Sequence, residues 1–296
     1  MNRVFIFPGQ GSQAVGMGKS LYDNFTVAKD VFDEVDDALS EKLSKLIFEG
    51  PEEELTQTQN AQPALMAVSM AMVRVLEHEQ NKDITQLCSA VAGHSLGQYS
   101  AICASGGLSV GECAKILRAR GLFMQSACKE GEGAMAAIIG ASRQGLDEVL
   151  ALANKHGICD IANDNSKDQV VISGNLASID FAIDSFKEKG IKAIKLKVSS
   201  AFHSRLMIPA AQEMKEVLET CKFVDIKVPV IDNVTLELTK SAEFLKKSLV
   251  AQISGTVRWR ETMDIIAANY DSASEIGSGK VLTGLFKRAY PEFVVE

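Results

Sequence analysis

The chain is poor in several residue types, and each shortage excludes a class of protein. It has one tryptophan, four tyrosines, four histidines and six prolines in 296 residues. No segment approaches the roughly 18 consecutive apolar residues that a membrane helix needs, which excludes a helical membrane protein. The opening apolar run, Val4 to Phe7, stops at Pro8 and is too short for a secretion leader, so a cytoplasmic location is expected. The six cysteines (Cys88, Cys103, Cys113, Cys128, Cys159, Cys221) are scattered, with no CxxC and no partnering histidine. That spacing suits neither a disulfide framework nor a zinc site, and reduced, buried thiols are expected, with no bound metal. Internal repeats, low-complexity tracts and long linkers are all missing.

What is present is an ordinary globular composition, 46% hydrophobic and 23% charged, long enough to bury about three quarters of its unfolded surface. The net charge of −7 argues against generic nucleic-acid binding. Charge is unevenly spread: residues 1–55 hold 5 basic and 11 acidic side chains, and residues 186–296 hold 17 basic and 14 acidic. A locally basic face on an acidic protein suits an acidic partner.

Hydrophobic periodicity predicts a buried strand over 3–7, then mostly helix over 20–80, with Val27, Val31, Val35 and Leu39 recurring every four residues. Cys88 to Gly93 reads as a strand running through a sharp turn into a helix from Leu96. Beyond Gly131-Glu132-Gly133 the rhythm changes to strand 134–139, helix 142–155, strands 159–162 and 169–173, helix 177–189 and strand 191–198. That β-α-β-β-α-β order is the ferredoxin-like pattern. Helices over 205–221, 241–252 and 258–268, a strand over 272–276 and a helix from Gly279 complete the chain. The expectation is an α/β core with a mostly parallel sheet, formed by 1–130 and 199–296, carrying a small insert over 131–198.

Chemistry concentrates at Gly93-His94-Ser95-Leu96-Gly97. A serine on a strained strand-to-helix turn needs small residues two positions either side. The turn lifts Oγ clear of the sheet, and the next N–H, that of Leu96, faces an oxyanion. A serine hydroxyl needs a base. His78 and His156 read as surface residues and His94 points away around the turn, which leaves His203 at a strand end, where α/β sheets gather catalytic groups. Phe7 to Gln13 ends the first strand in a glycine-rich polar loop. Gly18-Lys19-Ser20 resembles the end of a P-loop, but the required first glycine is Gln13. The loop fits an oxyanion site better. On the helix after the elbow helix, Arg118 and Arg120 face different ways, and periodicity leaves open which points inward.

Taken together, FPGQGSQ at 7–13, QPAL at 62–65, GHSLG at 93–97, RG at 120–121, GAMAAIIG at 133–140, QVVISG at 169–174, VRW at 257–259 and GKVLTGL at 279–285 resemble, over essentially the whole chain, the bacterial malonyl-CoA:acyl carrier protein transacylases. The resemblance implies an α/β-hydrolase-like core with a ferredoxin-like insert, and malonyl transfer from malonyl-CoA to acyl carrier protein without a cofactor. It implies Ser95 as the acylated residue and His203 as its base. Gln10 and Leu96 would form the oxyanion hole, Arg120 would grip the malonyl carboxylate, and the Gln252 backbone carbonyl would orient the histidine. Gln98 stands where glutamate is usual and is expected to matter little. The segment Ala201-Phe202-His203 is similar to the malonyl-selective form in synthase domains, although Ser200 stands before it. The rival expectation is a serine hydrolase in which Asp160, Asp164 or Asp168 completes a triad. Lys280, Lys287 and Arg288 are candidates for a carrier-docking face.

Overall fold

The computed structural model describes residues 2–129, 131–198 and 200–296; Glu130 and Ser199, which flank the expected insert boundaries, and Met1 lie outside the described residues. Among the described residues ten strands form two sheets. β1 (Arg3–Phe7), β2 (Ala90–Gly93), β7 (Val230–Ile231), β8 (Leu238–Thr239), β9 (Ser272–Glu275) and β10 (Val294–Val295) make the larger one, and β3 (Gly133–Ile139), β4 (Cys159–Ser166), β5 (Gln169–Asn175) and β6 (Lys192–Lys195) the smaller.

The larger sheet runs β10-β9-β1-β2-β7-β8 and is parallel except for β8. Its central strands carry apolar residues on both faces: in β1, Phe5 and Phe7 pack into one core while Val4 and Ile6 pack into the other. That is the signature of a sheet covered on both sides by helices. The smaller sheet runs β4-β5-β3-β6, all antiparallel, which in chain order is the second, third, first and fourth strand of the ferredoxin-like pattern. It has its own core, with Ile138, Val149, Ile172, Ile179 and Phe186 buried.

The stretch expected as helix over 20–80 is five helices, ending in the 23-residue Thr58–Gln80, and a short sixth, Ile84–Leu87, leads into β2. The 23-residue helix is buried on all sides between Ala61 and Ala71, a central helix wedged among others. The strand expected to stop at Ala162 continues to Ser166. Its polar half, Asn163-Asp164-Asn165-Ser166, hides a strand from any hydrophobic count, yet all four are buried, and the pairing with β5 is irregular there. β7, β8 and β10 are two residues each, below what periodicity detects.

Candidate active site

Ser95 sits between the end of β2 and the helix Leu96–Ala104 with φ 54° and ψ −110°, a conformation that costs on the order of 1–3 kcal/mol and persists where surrounding structure enforces it. The enforcement is steric and polar. A Cβ on Gly97 would lie 2.2 Å from the Phe7 carbonyl oxygen, and one on Gly93 would lie 2.0 Å from the Gly97 carbonyl carbon, so the elbow is packed backbone against backbone. Asn233 then ties it down: its Oδ1 accepts from Ser95 N–H at 3.0 Å and its Nδ2 donates to the Gly93 carbonyl at 2.7 Å.

His203, also at positive φ (56°), brings Nε2 to 2.7 Å from Ser95 Oγ. Its Nδ1–H donates to the backbone carbonyl of Gln252 at 2.8 Å, which leaves Nε2 as the acceptor for the serine proton. The ring is 5% exposed. Burial, and after it the Arg120 charge, holds the imidazole down at about 3, so it stands neutral and ready as a base. None of the aspartates considered for a triad reaches it. Asp160 pairs with Arg205 at 2.8 Å, Asp164 with Arg260 at 2.9 Å, and Asp168 lies in the turn after β4.

Arg120 resolves the choice on its helix, Val110–Ser126. Arg118 turns away to Asn60 and Glu41, whereas Arg120 is 1% exposed and points at Ser95. Its Nη2 donates to Ser95 Oγ at 3.1 Å and to Gln252 Oε1 at 3.0 Å, and its Nη1 donates to Gln62 Oε1 at 2.7 Å. The guanidinium lies over the Tyr99 ring, 5.3 Å from its centroid. Among the described residues no carboxylate pairs with Arg120, an unusual state for a buried cation and one that a substrate carboxylate would correct.

Gln10, Leu96, Ser95, Arg120 and His203 line one cavity of about 400 Å³, together with Gln62, His94, Lys197 and Phe202. A smaller groove of about 290 Å³ shares Gln10, Thr56, Lys197, Val198 and Phe202 with it. His94 points away from Ser95 as expected: Nε2 meets Asn165 Oδ1 at 2.8 Å and the ring meets Trp259 edge-on. His78 is exposed beside Glu79, and His156 stacks on Phe181. Lys280, Lys287 and Arg288 are exposed and do not line this cavity. All six cysteines are buried and free. Among the described residues no group of three His, Cys, Asp or Glu side chains could hold a metal ion, and no helix is long and apolar enough to cross a membrane.

Sequence reasoning assigned no role to Gln62, Asn165 or Asn233, and gave Gln98 little weight. Gln98 is fully buried and bonded to Asp232, Asn233 and Gln252. One signal was available: Asp232-Asn233 follows the apolar run Val228 to Ile231, a polar pair at a strand end. Chemically, a strained hydroxyl shared between a neutral imidazole and a guanidinium can attack a carbonyl while its proton passes to nitrogen.

A family model described as the acyl transferase domain matches residues 4–292. A malonyl CoA-acyl carrier protein transacylase of Bacillus subtilis (strain 168) is 47% identical over 288 residues, covering 96% of this chain and 89% of its own length. That of Escherichia coli (strain K12) is 37% identical over 287 residues, covering 96% and 92%. The crystal structure of acyl-carrier-protein-S-malonyltransferase from Bartonella henselae superimposes with TM-score 0.97 at 49% identity, covering 100% of this chain and 94% of that one. A malonyl-transacylase solved in complex with its type II PKS acyl-carrier protein gives TM-score 0.95 at 39% identity, covering 100% and 95%.

Proposed function

The chain belongs to the acyl transferase domain family, and from that premise we propose how its residues divide the reaction. The activity is transfer of malonyl from malonyl-CoA to acyl carrier protein, which supplies fatty acid synthesis. In the proposed sequence, Ser95 Oγ attacks the thioester carbonyl as its proton passes to His203 Nε2. The new Oγ–C bond leaves an oxyanion facing the N–H of Leu96 and the loop of Gln10. The C–S bond then breaks, and the imidazolium returns its proton to the departing coenzyme A sulfur. The phosphopantetheine thiol of acyl carrier protein reverses these steps: it gives its proton to His203, its sulfur takes the acyl carbon, and Ser95 recovers the proton. One thioester replaces another, so the exchange is close to balanced and calls for neither an energy source nor a cofactor.

Arg120 would seat the malonyl carboxylate by a two-pronged ion pair, and the Gln252 backbone carbonyl would hold the imidazole in its tautomer. Residues 131–198 form an inserted unit on a core built from 1–130 and 199–296 in this proposal, and the enzyme works in the cytoplasm. The observation that carries the assignment is the convergence of an imidazole nitrogen at 2.7 Å and a guanidinium nitrogen at 3.1 Å on one hydroxyl oxygen. Intact-mass analysis after exposure to malonyl-CoA tests it. A malonyl adduct is expected on Ser95, missing in Ser95→Ala, and discharged rapidly only when carrier protein is added. Discharge to free malonate at the same rate without carrier would assign a hydrolase instead.

A further inference from the structure

The side chain of Gln98, on the helix Leu96–Ala104, has both ends of its carboxamide committed. Its Nε2 donates to Asp232 Oδ2 at 2.7 Å, and its Oε1 accepts from Asn233 N–H and from Gln252 Nε2, each at 3.1 Å. All four residues have zero exposure. Asp232 also accepts from Ser248 Oγ and from the N–H groups of Val234 and Thr235. The position needs a donor on one side and an acceptor on the other.

Beyond Gln98 the chain of contacts reaches the reacting groups. Gln252 Nε2 donates onward to Ser95 O at 3.1 Å, and the same carbonyl accepts from Gln98 N–H at 3.0 Å. In a trans peptide the C=O and N–H point in opposite directions, so gripping the Ser95 carbonyl aims the Leu96 N–H. Gln252 Oε1 meets Arg120 and its backbone carbonyl meets His203. A single carboxamide residue therefore touches the elbow peptide, the cation and the base.

We propose that Gln98 is a positioning residue for the acyl transfer: facing the Asp232 carboxylate, it sets the orientation of Gln252, which fixes the oxyanion-donor peptide, the imidazole and the guanidinium together. The proposal rests on the serine-acylation reading above. The titratable and charged groups around the pair are Asp232 itself, Arg120 and the neutral His203 across Gln252, and the Arg258–Glu261 ion pair, whose Arg258 donates to the Val234 carbonyl.

The test compares Gln98→Glu, Asp232→Asn and the double variant. Gln98→Glu sets two buried carboxyls side by side, and such a pair keeps one proton to higher pH than a lone carboxyl. While that proton is shared, the donor–acceptor pattern survives. As pH rises and it leaves, both groups become acceptors and repel. The expected result is a new loss of kcat on the alkaline side in Gln98→Glu, roughly tenfold to hundredfold, less than the 10²–10³ of a deleted oxyanion donor, with the KM for malonyl-CoA rising over the same pH range because Arg120 is held through the same Gln252. In Gln98→Glu/Asp232→Asn the donor and acceptor simply change places, so the added limb should vanish and kcat return to within a few-fold of the starting enzyme.

A Gln98→Glu profile that superimposes on the unmodified enzyme, or a double variant that keeps the limb, would overturn the proposal. If Gln98→Glu does not fold, the double variant decides alone: it restores the donor–acceptor match between positions 98 and 232, and the Ser248 hydroxyl, which donates to Asp232, turns to accept from the new amide, so failure to fold or to turn over counts against the idea. Malonylation of Ser95 in the unmodified enzyme is measured first. Its absence would sink the acylation reading, whereas its presence with an unchanged Gln98→Glu would sink only this inference.

Discussion

Arg120 and Ser95 are held 3.1 Å apart, guanidinium Nη2 to hydroxyl Oγ, with the cation 1% exposed and paired to neutral partners. A buried charge without a counter-ion is destabilising, and here the deficit lies at the mouth of the nucleophile. In the proposed reaction a malonyl carboxylate would supply the missing anion, and an acetyl methyl would leave the charge without a counter-ion.

The first prediction follows from that pairing. Arg120→Ala should lose malonyl transfer by roughly tenfold to hundredfold, since hydrogen bonds to charged groups contribute about 1.5–3 kcal/mol, while acetyl transfer survives or rises. Rates of enzyme acylation by malonyl-CoA and acetyl-CoA, measured side by side, check it. Equal losses would mean that Arg120 serves the hydroxyl rather than the substrate.

A second prediction concerns pH. His203 is held at about 3, against an ordinary value of 6.5, by burial first and the Arg120 charge second. The folded enzyme therefore keeps this imidazole neutral through the mildly acid range, and if it is the base, as proposed, kcat/KM for malonyl-CoA should show no acid limb near 6.5. The unfolded chain does take up a proton there and the folded one does not, so this group weakens the fold as pH falls from about 6.5 toward about 3. Two measurements follow. Arg120→Ala, which removes the second cause, should move the acid limb upward in the pH–rate profile. His203→Gln should flatten the acid loss of stability over that window in denaturant unfolding.

Much of this site was legible in the sequence because the elbow's demands are local. GxSxG needs a strand before it, a helix after it and no side chain at Gly93 or Gly97, and each requirement is visible within a dozen residues. The ferredoxin-like unit was legible for the same reason: its strands alternate with helices of ordinary length. The supporting polar layer was not. Asn165 lies 71 residues from the His94 it bonds, and Asn233 lies 138 from Ser95, so their roles arise only when β4 and the segment after β7 fold against the elbow. The setting of Gln98 was hidden for a related reason. Its side chain takes no proton in the reaction, yet its burial commits both ends of its amide.

The elbow's packing gives a third prediction. Gly97→Ala would place a methyl 2.2 Å from the Phe7 carbonyl oxygen, at a contact between two backbones that cannot both yield. Overpacking costs typically about 1–3 kcal/mol, and here relief requires moving either β1 or the turn that carries Ser95. The variant should lose stability in that range by denaturant midpoint and lose acylation by a larger factor than stability alone explains. A folded variant with full acylation would show that the turn has slack.

The last prediction concerns how the long arm common to both substrates is held. Coenzyme A and the carrier protein both present phosphopantetheine, whose phosphate is anionic. Lys197 is exposed and lines both the catalytic cavity and the adjoining groove, and among the described residues no carboxylate pairs with it. Lys197→Glu should raise the KM for malonyl-CoA and for carrier protein together, several-fold, with kcat unchanged. Added salt should narrow the difference, because exposed charges are screened over about 10 Å at 0.1 M. Lys287 and Arg288 lie on the final helix, Val281–Ala289, and Arg288 borders a separate cavity with Lys167 and Arg260. Charge reversal there reaches only a partner with an extended acidic surface, so it should raise the KM for carrier protein and leave that for malonyl-CoA as it was. Steady-state kinetics with each substrate varied in turn separates the two faces: a common rise marks the arm, a carrier-specific rise marks the protein surface, and no change at Lys287 and Arg288 would remove the final helix from the docking face.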